Sequence, residues 1–225
     1  MNRKYLAAIM VFISLALIGC GNDHSSAPPP PPTIITQIFS DPAVDGDILE
    51  TSPTTFLITQ GMIPPVQSVF AGIDPSSLQE SRAFLDFPLR GPDGVPGDAT
   101  IVSATLDIVI NNVFLQSPTD TIPIRIELVS FPGLTLVSDH FSRTLLPAIA
   151  FTTIEPPISS ADVGGHVPFD VFSLMVQAQS FGLLDFQVRI LEDLVAAPPG
   201  LIEINDTTDP TIRGALAPVL QVEYR

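Results

Sequence analysis

The sequence is poor in the residues that most often build catalytic and metal centres. Its 225 residues include one cysteine, Cys20, no tryptophan and three histidines, and the histidines share no metal-binding or triad spacing. A single cysteine excludes an internal disulfide, a zinc site built from several thiolates and an iron–sulfur cluster. The nucleophile elbow, the phosphate-binding glycine loop and the H-E-x-x-H motif are all missing. The sequence therefore predicts a protein that is not an enzyme and has no certain cofactor.

Basic residues are scarce as well. Outside Arg3 and Lys4 the chain has seven arginines, no lysine and all 24 acidic residues, a formal net charge of −17. The negative electrostatic potential of such a protein repels nucleic acid, so no nucleic-acid partner is expected. Charged residues nevertheless make up only 15% of the chain, against roughly 25% in ordinary soluble domains. This composition favours a surface that packs against a partner, although a large buried core explains it equally well.

The first 20 residues have the pattern of a bacterial lipoprotein signal. Arg3 and Lys4 precede an apolar run at residues 5–18, and Gly19 stands before Cys20. The run has about 14 residues, fewer than the roughly 20 that span a bilayer, which argues against an uncleaved transmembrane anchor. We expect residues 1–19 to be removed and Cys20 to be acylated. The lipid bilayer is then a partner, and the location is the bacterial cell envelope, at the outer membrane or cell surface.

A proline-rich segment separates this signal from the rest of the chain. Residues 20–33 contain five consecutive prolines, Pro28 to Pro32. Such a run adopts polyproline II geometry and acts as a stiff spacer, which would hold the following domain away from the membrane. Residues 34–225 show no internal repeat and no second linker, and their number suits a single large domain.

Residues 81–110 contain two strand-like runs joined by a loop rich in glycine and proline. In the first run the apolar residues Leu85 and Phe87 alternate with Arg82, Phe84 and Asp86. Residues 101–110 alternate in the same way, and residues 91–98 hold turn-forming residues at a density that no helix tolerates. Arg82 and Asp86 are candidate ligand-binding residues, because their face is either a solvated surface or the flank of a concave binding sheet.

Similar alternation recurs along the rest of the chain. It predicts further strands at residues 54–59, 68–72, 122–129, 134–138, 184–190, 201–204 and 219–224. One short helix is predicted after Asp170, which is suited to cap it, through about Gln179. Many short strands separated by proline and glycine indicate an all-β fold, a sandwich of antiparallel sheets with one short helix.

Several of these residues resemble the DNRLRE-type domain, a jelly-roll β-sandwich related to carbohydrate-binding modules of secreted and cell-surface bacterial proteins. The matching residues are Arg82, Leu85, Phe87, Pro96, Gly97, Ala99, Ile101, Ser103, Ala104, Thr105 and Leu106. Residues 169–171 and 176–178 resemble the family's F-D-V strand and the helix after it, and residues 218–224 its closing strand. The resemblance runs from about Asp45 to the C-terminus. Its motifs are mainly core and turn residues, so they imply a jelly-roll fold and no particular ligand.

The family's relation to carbohydrate-binding modules favours a non-catalytic binding module with carbohydrate as the candidate ligand, although the matching residues themselves do not specify one. The absence of tryptophan argues partly against this, because sugar rings usually stack on Trp or Tyr. The low charge favours the alternative, a structural or assembly lipoprotein that binds an envelope protein or itself.

A bound calcium ion is a further hypothesis for this chain. The cation takes six to eight oxygen ligands, and acidic residues are concentrated in the loops. Asp45, Asp47, Asp93 and Asp98 are the candidate ligands of a structural Ca²⁺. Acidic residues are also common in turns for local hydrogen-bonding reasons, so the pattern does not require a metal.

Overall fold

Antiparallel strands make up most of the regular structure. The computed structural model describes residues 32–61, 66–132, 135–193 and 198–225. The predictions for the signal sequence, Cys20 and nearly all of the proline-rich segment lie outside these residues. Residues 33–225 form one compact unit. Within the described residues no helix is long and apolar enough to cross a membrane.

The elements follow one another in chain order. The strands are β1 (Ile34–Phe39), β2 (Gly46–Ser52), β3 (Thr55–Gln60), β4 (Ser68–Ile73), β5 (Glu80–Pro88), β6 (Ile101–Leu115), β7 (Ile124–Val129), β8 (Ala150–Thr153), β9 (His166–Asp170), β10 (Asp185–Glu192), β11 (Gly200–Asn205) and β12 (Val219–Tyr224). Helix α1 spans Phe172–Ser180 and the single turn α2 spans Arg213–Leu216. Short 3₁₀ turns lie at Ser138–Phe141 and Ser160–Asp162.

The strands pair in the order β1-β12-β6-β11-β4-β5-β10-β7-β8, while β2 pairs with β5 and β3, and β9 pairs with β6. Strand β6 connects the two halves of this sheet. Its residues 101–109 pair with β12 and β9, and its residues 110–115 pair with β11. The result is a large curled antiparallel sheet with a sandwich-like shape. The predicted all-β fold is confirmed.

The main core lies between the two halves of the curled sheet and is built from the alternate residues of the strands. Leu85 and Phe87 of β5, Leu106 of β6, Ile126 of β7 and Val188 of β10 are all at most 1% exposed. Fully burying one such side chain contributes roughly 1.5–3 kcal/mol. The inward positions predicted from the alternation of β5, β6, β7 and β10 are therefore confirmed.

The opposite side of β5, β10 and β7 is also covered. We call it the covered face, and it carries Arg82, Phe84, Glu127, Gln187 and Arg189. Residues 131–132 and 135–146 lie over it and form a second, smaller core with this face. Its members are Ile48, Phe84, Val129, Phe131, Leu136, Phe141 and Leu146. The strand predicted at residues 134–138 is absent at 135–138, which form irregular backbone and the start of a 3₁₀ turn.

Most other predicted elements agree with the structure to within two or three residues. Strands β1, β2 and β8 were not predicted, and β6 extends five residues beyond its predicted end. Helix α1 lies where the helix was predicted. The Asp170 carboxylate accepts a hydrogen bond from the Phe172 amide at 2.9 Å, so it stabilises the first turn although Val171 holds the N-cap position.

Candidate functional site

The side of β4, β11 and β6 that points away from the main core is open to solvent. We call it the open face. Phe70 and Leu201 are partly exposed there, and Phe114 is 40% exposed. They stand on the outward positions because Val69, Ala71, Ile202 and Ile204 point into the core. The open face thus presents an apolar patch on a rigid sheet.

A polar network crosses the same three strands beside this patch. The Ser68 hydroxyl donates to Glu203 Oε1 at 2.8 Å, and Asn111 Nδ2 donates to Ser68 Oγ at 3.1 Å. Asn205 Nδ2 donates to Asn111 Oδ1 at 2.9 Å. These bonds hold the side chains in fixed orientations, as a preformed binding surface requires.

A β-bulge places Asn111 in this network. Glu203 is opposite Asn112 while Ile204 is opposite Ile110, so Asn111 is the extra residue of β6. Bulges reorient side chains and are common beside binding sites. Here the bulge adds a second amide to the face that already carries Asn112.

A groove of about 290 Å³ borders the open face, between it and the β2–β3 hairpin. Its apolar lining consists of Leu49, Leu57, Phe70 and Leu201. Its polar lining consists of Asp47, Thr59, Ser68, Asp74, Ser77, Gln79 and Ser81. The volume is close to the lower end of small-molecule sites, about 300 Å³. Apolar walls with several hydrogen-bonding groups suit a ligand that has both apolar and hydroxyl-bearing surfaces.

Asp47 connects the groove to the sheet beneath it. Its side chain is almost buried, and its Oδ2 accepts a hydrogen bond from the Phe70 amide at 3.0 Å. Desolvation raises the pKa of Asp47 to about 6, although the hydrogen bonds from Phe70 and Thr59 oppose the shift. Asp47 was predicted as a calcium ligand, and the structure places it in this groove.

The β4–β5 turn forms one end of the groove. Asp74 Oδ1 accepts hydrogen bonds from the amide and the hydroxyl of Ser76, both at 2.7 Å. Leu78 has a positive φ of 59° and is 68% exposed. A bulky residue in this region of φ is uncommon and costs free energy. The turn therefore holds an apolar side chain in solvent close to the groove.

A second depression, of about 320 Å³, lies where β8, β9 and α1 meet. Ile154 and Phe169 in its lining belong to the main core and are almost completely buried. Phe172 is its main exposed apolar group. The groove beside the open face offers more apolar contact and is the better candidate.

Asp45 lies elsewhere, in a buried group of carboxylates. Asp45 precedes β2 and Asp206 follows β11, and both are completely buried. Desolvation, followed by the charge of Asp206, raises the pKa of Asp45 well above its usual value. Desolvation raises the pKa of Asp206 to about 7, against the opposing effects of Asp45, Arg213 and Ser40. Asp206 was not among the predicted calcium ligands.

Asp93 and Asp98 are exposed in the β5–β6 loop. The Asp93 carbonyl accepts a hydrogen bond from the Thr36 hydroxyl at 2.6 Å. Among the described residues, no hydrogen bond links Asp93 or Asp98 to Asp45 or Asp47. The four predicted calcium ligands are thus distributed over a buried centre, a groove and a loop.

Arg82 and Asp86, predicted as ligand-binding residues, lie on the covered face and are only 7% and 2% exposed. Arg82 Nε is 2.7 Å from Glu80 Oε1, and its guanidinium lies 3.9 Å from the centre of the Phe141 ring. Desolvation raises the pKa of Asp86 to about 6. Both faces of β5 are therefore occupied by protein, and neither side chain is available to a ligand.

The covered face also contains a buried ion pair. Arg189 Nη2 is 2.6 Å from Glu127 Oε2, and both side chains are completely buried. Arg125 and Arg143 contact the other Glu127 oxygen at 2.8 and 2.9 Å. Desolvation raises the pKa of Glu127, but the hydrogen bond and charge of Arg189 with the charges of Arg143 and Arg125 outweigh it, and the net pKa is lowered. Arg189 also donates to the His140 and Leu146 carbonyls, which fastens residues 140–146 to the sheet.

Phe70, Leu201, Asn111 and Glu203 were not predicted as site residues. Phe70, Leu201 and Glu203 lie on predicted strands, so for them the missing information was the order of strands in the sheet, whereas Asn111 lies beyond the predicted end of β6. One signal was present, because the pair Asn111-Asn112 interrupts an otherwise apolar alternation. No protein-family model and no curated protein sequence matches this chain.

Proposed function

We propose that this chain is a lipid-anchored, extracytoplasmic binding module whose ligand is a neutral carbohydrate. The groove beside the open face is the observation that carries the proposal. Leu49, Phe70 and Leu201 suit the apolar side of a sugar ring, and Ser68 and Gln79 suit its hydroxyl groups. The resemblance to DNRLRE-type domains supports the same class of ligand.

The charge of the groove decides between neutral and anionic sugars. Asp47 and Asp74 line it, Glu203 stands beside it, and no lysine, arginine or histidine is among its lining residues. An acidic sugar would be repelled at short range. Neutral hydroxyl groups instead donate hydrogen bonds to these carboxylates.

The ligand is tested by a glycan array that contains neutral and uronic-acid oligosaccharides. The acylated chain is applied in detergent, once with calcium and once with EDTA. We expect binding to neutral members and at least a tenfold loss for Phe70→Ala or Leu201→Asp, about 1.4 kcal/mol. Phe181→Ala is the matched control, because Phe181 is 65% exposed and is not among the residues that line the groove. Binding only to uronic acids, or none at all, would refute the proposal.

The anchor is tested separately from the ligand. The Pro28–Pro32 spacer and the apolar run before Cys20 support lipidation at Cys20. Cys20→Ala should abolish labelling with a palmitate analogue and move the protein out of the membrane fraction. Unchanged membrane partitioning of Cys20→Ala would overturn this part of the proposal.

The edge of the sheet favours a second candidate, an assembly lipoprotein. Strand β1 ends the strand order, and its Ile34 and Ile35 are 54% and 62% exposed. An exposed edge strand with apolar side chains is suited to pair with a strand of another protein. Crosslinking in the cell envelope distinguishes the two functions: this candidate predicts a stable adduct through β1 that Ile35→Lys removes.

A further inference from the structure

Three strand ends meet at a buried, oxygen-lined centre that is separate from the groove. Ser40 follows β1, Asp45 precedes β2 and Asp206 follows β11. Ser40 is 1% exposed, and Asp45 and Asp206 are completely buried. Desolvation and the negative charge of the neighbouring Asp206 both raise the pKa of Asp45.

Four oxygen atoms of this centre make no hydrogen bond of ordinary distance and angle with the described residues, although the Ser40 hydroxyl and the two carboxylates are near enough to influence the pKa values of Asp45 and Asp206. The four atoms are Ser40 Oγ, Asp45 Oδ2 and both carboxylate oxygens of Asp206. The other Asp45 oxygen accepts a hydrogen bond from the Asp86 amide at 2.8 Å, which fixes the orientation of that carboxylate. Buried carboxylate oxygens without partners are costly, and proteins normally pair them or use them to bind metal ions.

The protein's own cations do not neutralise the pair. Arg213 directs its guanidinium to the carbonyls of Ser40 and Thr207, and within the described sequence it forms no ion pair with Asp45 or Asp206. Its charge lowers the pKa of Asp206, but desolvation outweighs that effect, and Asp41 adds a further negative charge. The centre therefore has more negative charge than the nearby protein groups balance.

We propose that Ser40, Asp45 and Asp206 form a binding site for a divalent cation of the calcium type. All the free donors are oxygens, which suit a hard cation and not zinc or copper. The three side chains offer four oxygens, and water supplies the remaining ligands. The described residues contain no group of three or more His, Cys, Asp or Glu arranged for a metal ion, and this site differs because its third side chain is a serine.

Such an ion would join the ends of β1, β2 and β11, which are far apart in the sequence. Because all three side chains are buried, the cation is expected to bind as the chain folds and to be retained. The site is independent of the proposed carbohydrate groove, since none of its three residues lines the groove.

The proposal is tested by melting the full acylated chain in detergent after treatment with EDTA. Calcium at a hundredfold excess over its Kd should raise the Tm by about 5 °C or more. Metal analysis after dialysis should find one calcium ion per chain. The same melting curve with and without calcium, at both about pH 6 and about pH 8, would overturn the proposal in favour of a proton shared by the two carboxylates.

Variants distinguish a metal-binding role of these residues from a purely structural one. Asp206→Asn should abolish the calcium-dependent shift, and its Tm in EDTA should equal or exceed that of the parent chain because the repulsion with Asp45 is removed. Asp98→Asn, in the exposed β5–β6 loop, is the control and should keep the full shift. If Asp206→Asn does not fold, Ser40→Ala serves instead and should weaken calcium binding at least tenfold. A full calcium response in both Asp206→Asn and Ser40→Ala would refute the site.

Discussion

The covered face and the open face have similar sequence patterns and different surroundings. On the covered face, Gln187 and Arg189 alternate with core residues of β10, and both are at most 3% exposed. On the open face, Leu201 and Glu203 alternate with core residues of β11, and both remain partly exposed. A charged residue is thus buried on one face, while a leucine meets solvent on the other. Alternation shows which residues point inward but does not show what covers the outward side.

The difference arises from residues 131–132 and 135–146. They bring Phe131, Leu136 and Phe141 over the covered face, and the Arg189–Glu127 pair satisfies the polar groups buried beneath them. No comparable segment among the described residues lies over the groove. The polar groups of the covered face therefore serve stability, and those of the open face remain available to a ligand.

The largest effect is expected from breaking the buried ion pair. Arg189→Met leaves Glu127 buried without its main partner, which should lower the free energy of unfolding by about 3–5 kcal/mol. Glu203→Gln, a charge change on the open face, should cost less than about 1 kcal/mol. Urea denaturation of both variants measures the difference. A cost below about 1 kcal/mol for Arg189→Met would mean that the covered face is not closed to water.

The next effect concerns the aromatic side chains of the two faces. Phe84 is 1% exposed and packs edge-on against Phe131, with ring centres 6.0 Å apart. Phe84→Ala should destabilise the fold by about 3 kcal/mol. Phe114→Ala, on the open face, should change stability by less than about 1 kcal/mol. Equal costs in thermal or urea unfolding would remove the distinction between the faces.

Stability is also expected to depend on pH, because buried carboxylates lie near both faces. The folded pKa values of Asp47 and Asp86 are about 6, and that of Glu192 is about 7, all raised chiefly by desolvation. Each folded value lies above the unfolded one, so the native state holds more protons and stability falls as pH rises from about 4 to 7. At 1.36 kcal/mol per pKa unit, the titration of Asp47 alone lowers the free energy of unfolding by at most about 3 kcal/mol over this range.

This dependence is measured by urea unfolding in EDTA between about pH 4.5 and pH 8. Asp47→Asn should flatten the profile, because it removes one titrating group and keeps an oxygen that accepts from the Phe70 amide. Asp98→Asn should leave the profile unchanged. Stability that rises from pH 5 to pH 8 would contradict the direction of these pKa shifts.

Much of the fold was predictable because it follows from local pattern. The alternation in β5, β7 and β10 identified the inward residues, and the position of Asp170 before an apolar run located α1. The strands that were not predicted show where local pattern is insufficient. In β1 and β8 at most one side chain is buried, so little alternation is visible. Conversely, a strand was predicted at residues 134–138 because Leu136 is apolar. That side chain instead packs into the second core from irregular backbone.

The candidate sites were less predictable, because each combines residues from distant parts of the chain. The acidic residues drew attention to Asp45 and Asp47 as calcium ligands, but the sequence did not indicate that their neighbours in space are Asp206 and Phe70. Arg82 and Asp86 were selected from their alternation, which cannot reveal the segment that covers them.

The sequence by itself determined the all-β architecture, the inward face of most strands, the short helix and the strongly negative charge. These depend on side-chain period, on turn residues and on composition, which are local properties of the chain. The tertiary structure alone decided which outward face is covered, where the groove forms and that Ser40, Asp45 and Asp206 converge. Those outcomes depend on pairings such as β6 with β11 and β2 with β5, and a strand's own residues do not specify its neighbour in the sheet.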